Sequence, residues 1–305
     1  RLKSVARSVQ AARGASPRRA PRPVRTRARR LMLRAAAAAA TRTVAFAGRC
    51  CPGAATPLAA RAPPPLRRCG PDAARRGGSS ASRPCYALYL VTDDEYLDDQ
   101  FHAKVGAALE GGVTCVQLRL KKASTATFVD CAEKVKLLTR QAGVPLIIDD
   151  RLDVALAVDA DGLHVGGEDL PWRTARRLLG QDRILGCSTY GRHDLVREAL
   201  HPEVRADYLG SGAIFASPTK HSSVAKGVGH LAGLRALIAE EAAGRPVPLV
   251  AIGGVGVDTA AGCIAGGADG VATVSALLRH PDAEGCRQAA EQMHKEILGA
   301  LRSRP

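Results

Sequence analysis

Cationic, acidic and hydroxyl side chains recur along this chain in short clusters whose types suit one task, the handling of phosphate groups with a metal. Arg119, Lys121 and Lys220 supply positive donors, Arg for bidentate contact with phosphate oxygens and Lys as a point charge. Asp150 and Asp169 suit Mg²⁺, which takes one or two carboxylates and completes its shell with water and substrate phosphates. Gly253-Gly254 and the segment at Val274 and Ser275 offer backbone amides to a second phosphate that needs no metal. Two phosphate sites of different kinds imply two phosphorylated substrates.

The elements that must position these groups are visible from Cys85 onward. There, short apolar or β-branched runs alternate with segments of helical period, the pattern of a parallel sheet wrapped by helices. Strands are expected at 87–91, 114–117, 145–148, 162–165, 184–187, 207–209, 248–252 and 270–274. Phe101, Val105, Ala108 and Leu109 mark one helix face, and Phe128, Cys131, Val135 and Leu138 another. Gly111-Gly112, Gly143, Gly180 and Gly266-Gly267 precede strands, where a helix ends in a left-handed residue. Eight such units in about 220 residues predict an α/β fold made of a single (β/α)8 TIM barrel.

A barrel keeps its chemistry at the C-terminal ends of its strands, and the polar clusters fall there. Gln117, Arg119 and Lys121-Lys122 follow the second strand, Asp149-Asp150 the third, and His164 through Asp169 the fourth. Ser188-Thr189 follow the fifth; Gly210-Ser211-Gly212, then Ser217, Thr219 and Lys220, follow the sixth. Gly253-Gly254 and Ser275-Ala276 follow the last two. Ordinary loops are polar too, so the weight lies in the joint placement.

At these positions the chain resembles the thiamine-phosphate synthase family. The motifs are Gln117-Leu-Arg119-Leu-Lys121, Asp149-Asp150-Arg-Leu-Asp-Val-Ala-Leu-Ala, Asp161-Gly-Leu-His-Val-Gly166 with Glu168-Asp169, Ile184-Leu-Gly-Cys-Ser188, Asp207-Tyr-Leu-Gly-Ser-Gly212, Ala251-Ile-Gly-Gly254 and Gly267-Ala-Asp-Gly-Val, in order between Tyr86 and Leu278. The resemblance implies an enzyme that joins 4-amino-2-methyl-5-hydroxymethylpyrimidine diphosphate to 4-methyl-5-(2-hydroxyethyl)thiazole phosphate with release of pyrophosphate. In such enzymes the C–O bond to pyrophosphate breaks first and the thiazole nitrogen traps the pyrimidine cation. Carried over by position, Arg119, Lys121, Ser188 and Lys220 take the pyrophosphate, Asp150 and Asp169 the Mg²⁺, and Gln117 the pyrimidine. Ser217, Thr219, Gly253, Gly254, Val274 and Ser275 take the thiazole phosphate side, and no general base is required. Three departures stand out. Asp149 replaces the usual Asn beside the pyrophosphate site, Gly167 replaces a Gln, and Ala216-Ser217-Pro218-Thr219-Lys220 shifts the loop proline.

Residues 1–84 hold 20 of the 44 Lys and Arg but only one of the 29 acidic residues, Asp72, so residues 85–305 carry a formal net charge of −4. The high charge of the whole is therefore a property of the leader, whose Arg, Ala, Ser and Pro runs read as an organelle transit peptide, plastid before mitochondrion. The chain opens at Arg1 without a Met, so its natural start is expected upstream. The apolar stretch 31–46 is broken by Arg34 and Arg42 and is too short to span a bilayer, so no membrane partner is expected. Nucleic-acid binding would rest on the leader alone, which lacks interleaved aromatics. The nine Cys form no metal-like or redox pair; Cys115, Cys187 and Cys263 read as buried thiols of a reducing compartment. The expected partners are small molecules, with a homo-oligomer left open.

Plainer readings stand beside these. Arg119 and Lys121 could be solvated strand-end charges, Asp149-Asp150 a helix cap, His164 a hydrogen-bonded core imidazole, and Trp172 a helix anchor. A thiazole tautomerase is the rival within the fold, and the joint retention of Arg119, Lys121, Asp150, Asp169 and Lys220 argues against it. A non-catalytic barrel that binds phosphometabolites is the rival outside enzymology, and turnover separates the two.

Overall fold

In the computed structural model, residues 84–216 and 224–304 are described; residues 1–83 of the expected leader, and Ser217, Thr219 and Lys220, lie outside them. Eight parallel strands close into a barrel in sequence order: β1 (Leu88–Val91), β2 (Cys115–Leu118), β3 (Leu146–Asp149), β4 (Gly162–Val165), β5 (Ile184–Ser188), β6 (Tyr208–Ser211), β7 (Leu249–Ile252) and β8 (Gly270–Thr273). Tyr89 stands opposite both Cys115 and Ala272, the register that joins the first strand to the last.

Strand side chains alternate with a period of two, and here both faces are dry. Leu88, Leu90, Val116, Leu146, Ile148, Leu163, Leu185, Leu209 and Val271 point outward and pack under the helices. Tyr86, Tyr89, Val91, Cys115, Ile147, Tyr208, Val250 and Ala272 fill the interior. The Tyr208 ring fits because its neighbour on β5 is Gly186, where a Cβ would come within 2.1 Å of the ring. Cys115, Cys187 and Cys263 are buried free thiols.

Crossover helices follow each strand: α1 (Phe101–Glu110), α2 (Thr125–Ala142), α3 (Leu152–Ala157), α4 (Trp172–Leu179), α5 (His193–Leu200), α6 (Gly229–Glu241), α7 (Val257–Ala265) and the four-residue α8 (Ser275–Leu278), before the long α9 (Ala283–Arg302). Helix α2 starts where Ser124 accepts from the Thr127 amide at 3.2 Å and stops at Gly143, with φ 64°. Helix α9 starts on Asp282, whose carboxylate accepts from Gly285 N at 2.8 Å. It buries Cys286, Ala290, Met293 and Ile297 along one stripe against α1 and α7, covering the gap left by the short α8. Among the described residues no helix is long and apolar enough to cross a membrane.

The strands match expectation to within a residue or two. β6 runs to Ser211, two residues further than its apolar run suggested, because Gly210 and Ser211 find parallel partners in Ser188, Val250 and Ala251.

Candidate active site

The inward positions at the C-terminal end of the barrel open into a cavity of about 490 Å³. The strand period decides which residues reach it. Gln117, Asp149, His164, Ser188, Gly210 and Ile252 are inward residues near or at strand ends and line the cavity, with Arg119, Lys121, Asp150, Gly166, Glu168 and Asp169 just beyond. Gly253, Gly254, Val274 and Ser275 form the opposite rim. Lys122, Gly167 and Thr189 do not line it; the Thr189 hydroxyl donates to Gly210 O at 3.0 Å. Ser211 turns outward to His230 Nε2 at 3.1 Å.

One wall is a mesh of opposite charges. Arg119 Nη1 pairs with Asp93, and its Nε lies 3.6 Å from Asp149 Oδ2. Lys121 Nζ lies 3.4 Å from the same oxygen and pairs with Asp150. The loop carrying both cations is braced from its backbone. Arg119 N donates to Thr92 Oγ1 at 2.9 Å, while Lys121 N and Lys122 N donate to the Asp94 carboxylate at 2.7 and 3.1 Å. Asp150 is held in a left-handed conformation, φ 56°, with its amide on His164 O at 2.8 Å. It does not cap α3, whose first flanking position is Arg151.

Burial pushes the Asp149 carboxyl above its ordinary value; Lys121 and Arg119 pull the other way, and Asp169 adds to the rise. Burial is also the main reason that His164 is pulled down, to about 4, with Lys121 assisting. Its imidazole is neutral at physiological pH and carries one ring proton.

The carboxylates available to a hard cation are Asp150 and Asp169. Asp150 Oδ2 is buried, and among the described residues it accepts no hydrogen bond and pairs with the Lys121 ammonium. Asp169 Oδ2 occupies the space over Gly166, 2.5 Å from where a Cβ would stand. Among the described residues no group of three or more His, Cys, Asp or Glu side chains forms a metal cage. Two carboxylates with free coordination space suit a hard cation that takes few protein ligands and many from substrate and water. Trp172 steadies this corner by donating from Nε1 to Gly166 O at 3.1 Å, so the expected helix anchor also fixes the site loop.

The floor carries a buried hydrogen-bond chain. Gln117 Nε2 donates to Tyr89 OH at 3.1 Å, Tyr89 OH meets Tyr208 OH at 2.7 Å, and Tyr208 OH meets His164 Nδ1 at 2.9 Å. His164 Nε2 then meets Ser188 Oγ at 2.8 Å. Burial raises the pKa of both phenols well above 10, so they stay protonated. The plain reading of His164 as a hydrogen-bonded core imidazole is thus part of the picture, but the ring also lines the cavity.

Sequence reasoning did not single out Asp93, Tyr89, Tyr190 or Tyr208, which also line the cavity. Asp93 lies two residues past β1 and was open to the strand-end rule applied to the other seven strands. Tyr190 lies two residues past β5 and was open to the same rule, whereas Tyr89 and Tyr208 sit in runs that read only as apolar strand, where no local signal separates inward from outward positions when both are buried.

A family model described as thiamine monophosphate synthase matches residues 88–277. The chain is 45% identical over 202 residues to a thiamine-phosphate synthase of Syntrophomonas wolfei, covering 66% of this chain and 92% of that one. It is 46% identical over 198 residues to the thiamine-phosphate synthase of Chloroflexus aurantiacus, covering 65% and 87%. Its fold superposes on a thiamine phosphate pyrophosphorylase from Pyrococcus furiosus with a TM-score of 0.61 and 33% identity, covering 71% of this chain and 97% of that one.

Proposed function

The chain belongs to the thiamine monophosphate synthase family, and from that membership we propose the substrates, the course of the reaction and the metal of this transferase of thiamine biosynthesis. The substrates are 4-amino-2-methyl-5-hydroxymethylpyrimidine diphosphate and 4-methyl-5-(2-hydroxyethyl)thiazole phosphate. The observation that carries the reading is the two-sided cavity, with Arg119, Lys121, Asp150 and Asp169 on one wall and Gly253, Gly254, Val274 and Ser275 on the other.

The diphosphate lies along the charged wall and the thiazole phosphate against the glycine rim, where barrels commonly cradle a phosphate with the loops after strands 7 and 8. The pyrimidine sits between them over Gln117 and the floor. Breaking the C–O bond sends its electron pair to the departing diphosphate, and the thiazole nitrogen lone pair then forms the new C–N bond. The chain's task is to stabilise charge growing on the leaving group, and fixed cations do so without reorganising. Arg119 and Lys121 are held by their backbone braces, and Ser188 stands at the wall to donate a hydroxyl hydrogen. The family resemblance adds Lys220 as a diphosphate ligand and Ser217 and Thr219 on the thiazole phosphate side, all three outside the described residues. Mg²⁺ held by Asp150 and Asp169 would supply further positive charge to the diphosphate oxygens.

Purified chain given both substrates should form thiamine phosphate and pyrophosphate only with Mg²⁺. Lys121→Ala should lower kcat by about 10²- to 10³-fold, the usual cost of removing one preorganised partner of developing charge. Asp169→Asn should raise the Mg²⁺ concentration needed for half-maximal rate. Binding of both ligands without pyrophosphate release would instead make this a binding barrel, and isomerisation of the thiazole phosphate alone would make it a tautomerase.

A further inference from the structure

The chain Gln117, Tyr89, Tyr208, His164, Ser188 has five members and two self-consistent directions. Gln117 donates to the Tyr89 oxygen. In the forward direction Tyr89 donates to Tyr208, Tyr208 to His164 Nδ1, and His164 Nε2–H to Ser188 Oγ. The Ser188 hydrogen is then free for an anion in the cavity. In the reverse direction Ser188 spends its hydrogen on Nε2, His164 donates from Nδ1, Tyr208 donates to Tyr89, and the Tyr89 hydrogen is left for the sulfur of Cys115, buried beside it. Sulfur is a weak acceptor, whereas a phosphate oxygen forms a short charge-assisted bond. The forward direction therefore ends on the strong acceptor and the reverse on the weak one.

We propose that this buried chain is a polarity relay in which Tyr89, Tyr208 and His164 are positioning residues, fixing His164 as the Nε2–H tautomer so that Ser188 presents its hydrogen to the diphosphate. The proposal rests on the reading of Ser188 as a diphosphate ligand and Gln117 as a pyrimidine contact. It adds a physical link between them: a Gln117 amide oriented by the pyrimidine with its nitrogen toward Tyr89 denies that hydroxyl an amide acceptor, so the reverse direction ends only on the Cys115 sulfur and the forward one is favoured. A Gln117 amide turned the other way would accept from Tyr89 and remove the first donor of the chain. Reading of the pyrimidine is thereby coupled to stabilisation of the leaving group along the floor of the cavity.

Two measurements test this. In the full chain labelled with ¹⁵N-histidine, with His164 assigned from a His164→Gln variant, the ring nitrogens should report Nε2 protonated and Nδ1 bare at neutral pH. An Nδ1–H tautomer overturns the proposal, and this readout needs no turnover, so it stands or falls apart from the functional reading. The second is a double-mutant cycle on kcat. Tyr208→Phe should lower kcat about tenfold, roughly the worth of one hydrogen bond felt only in the transition state, and by less than about twofold in a Ser188→Ala background. Equal losses in both backgrounds would mean that Tyr208 merely supports the fold, and the relay would be rejected.

Discussion

Asp149 stands where the family resemblance leads one to expect Asn, and its environment shows what a carboxylate does there. The carboxylate is buried, its pKa is raised, and it lies 3.6 Å from Arg119 Nε and 3.4 Å from Lys121 Nζ, the two cations proposed to bind the diphosphate. It is at once a cost to the fold and a competitor for the substrate. In Asp149→Asn neither cation is stranded, because Arg119 keeps Asp93, Lys121 keeps Asp150, and both reach solvent. We expect the variant to melt about 3 °C higher at pH 7, corresponding to about 1 kcal/mol, and to show a several-fold lower KM for the pyrimidine diphosphate. The pH dependence has a definite sign. A carboxyl raised in the folded state gives stability that is complete below its unfolded value and is lost as pH rises through the folded one. The advantage of Asn should therefore shrink on acidification, which thermal melts of both proteins at several pH values would show. A higher KM in the variant would mean instead that Asp149 organises the cations or draws in a second metal ion. At this scale the charged half of the site was legible except for Asp93, because Arg119, Lys121, Asp150 and Asp169 break apolar runs where strands end. The tyrosines of the floor were not, since the hydroxyls of Tyr89 and Tyr208 matter only through partners far away in sequence.

The elements succeed one another as the periodicity indicates because the strands are buried on both faces and stand out as apolar runs. Gly210 and Ser211 escaped that logic, being poor strand formers that extend β6 only because β5 and β7 offer a ladder. The segment leaving β6 is tied to the loop after β7. Ile214 N donates to Ile252 O at 3.0 Å and Phe215 N to Gly253 O at 2.9 Å. The approach is close enough that a Cβ on Gly254, at φ 65°, would stand 2.4 Å from Ala216 O. The sequence shows a Gly-Gly pair there without showing that two loops depend on it. Gly254→Ala should push the two apart and raise KM for the thiazole phosphate about tenfold, a cost of order 1–3 kcal/mol for a side chain forced into this conformation. KM for the pyrimidine diphosphate should change much less, since the charged wall is carried by β2, β3 and β4. Parallel rises in both constants would show that the loops act as one unit and refute the division of the cavity into two walls.

Across the whole barrel one device repeats at the end away from the cavity, and it is invisible until the strands are closed. The residue just before each even strand holds the first or second amide of the odd strand preceding it. Leu88 N donates to Thr114 Oγ1 at 3.1 Å, and Leu146 N, Leu185 N and Leu249 N donate to Asp161, Asp207 and Asp269 Oδ2, each at 2.8 Å. These straps satisfy amides at the starts of β1, β3, β5 and β7 that would otherwise be buried without a partner. They are not equal. Asp207 also takes Arg176 at 2.6 Å, and Asp269 pairs with both Arg235 and Arg304, whereas Asp161 lies on the surface. Asp161→Ala should therefore cost about 1 kcal/mol, the worth of one strap, and Asp269→Ala about 2–3 kcal/mol, because it leaves an amide without its acceptor and takes the carboxylate from two guanidinium groups, of which Arg235 keeps only backbone carbonyls. The two sites share no partner, so the double variant should lose about the sum. Chemical denaturation of the three variants measures this, and kcat of the folded fraction should not move, because the straps sit at the opposite ends of the strands from Arg119, Lys121 and Asp150. A fall in kcat without a shift in the denaturation midpoint would show that the two ends of the barrel are not independent, and the separation of stability from chemistry would fail.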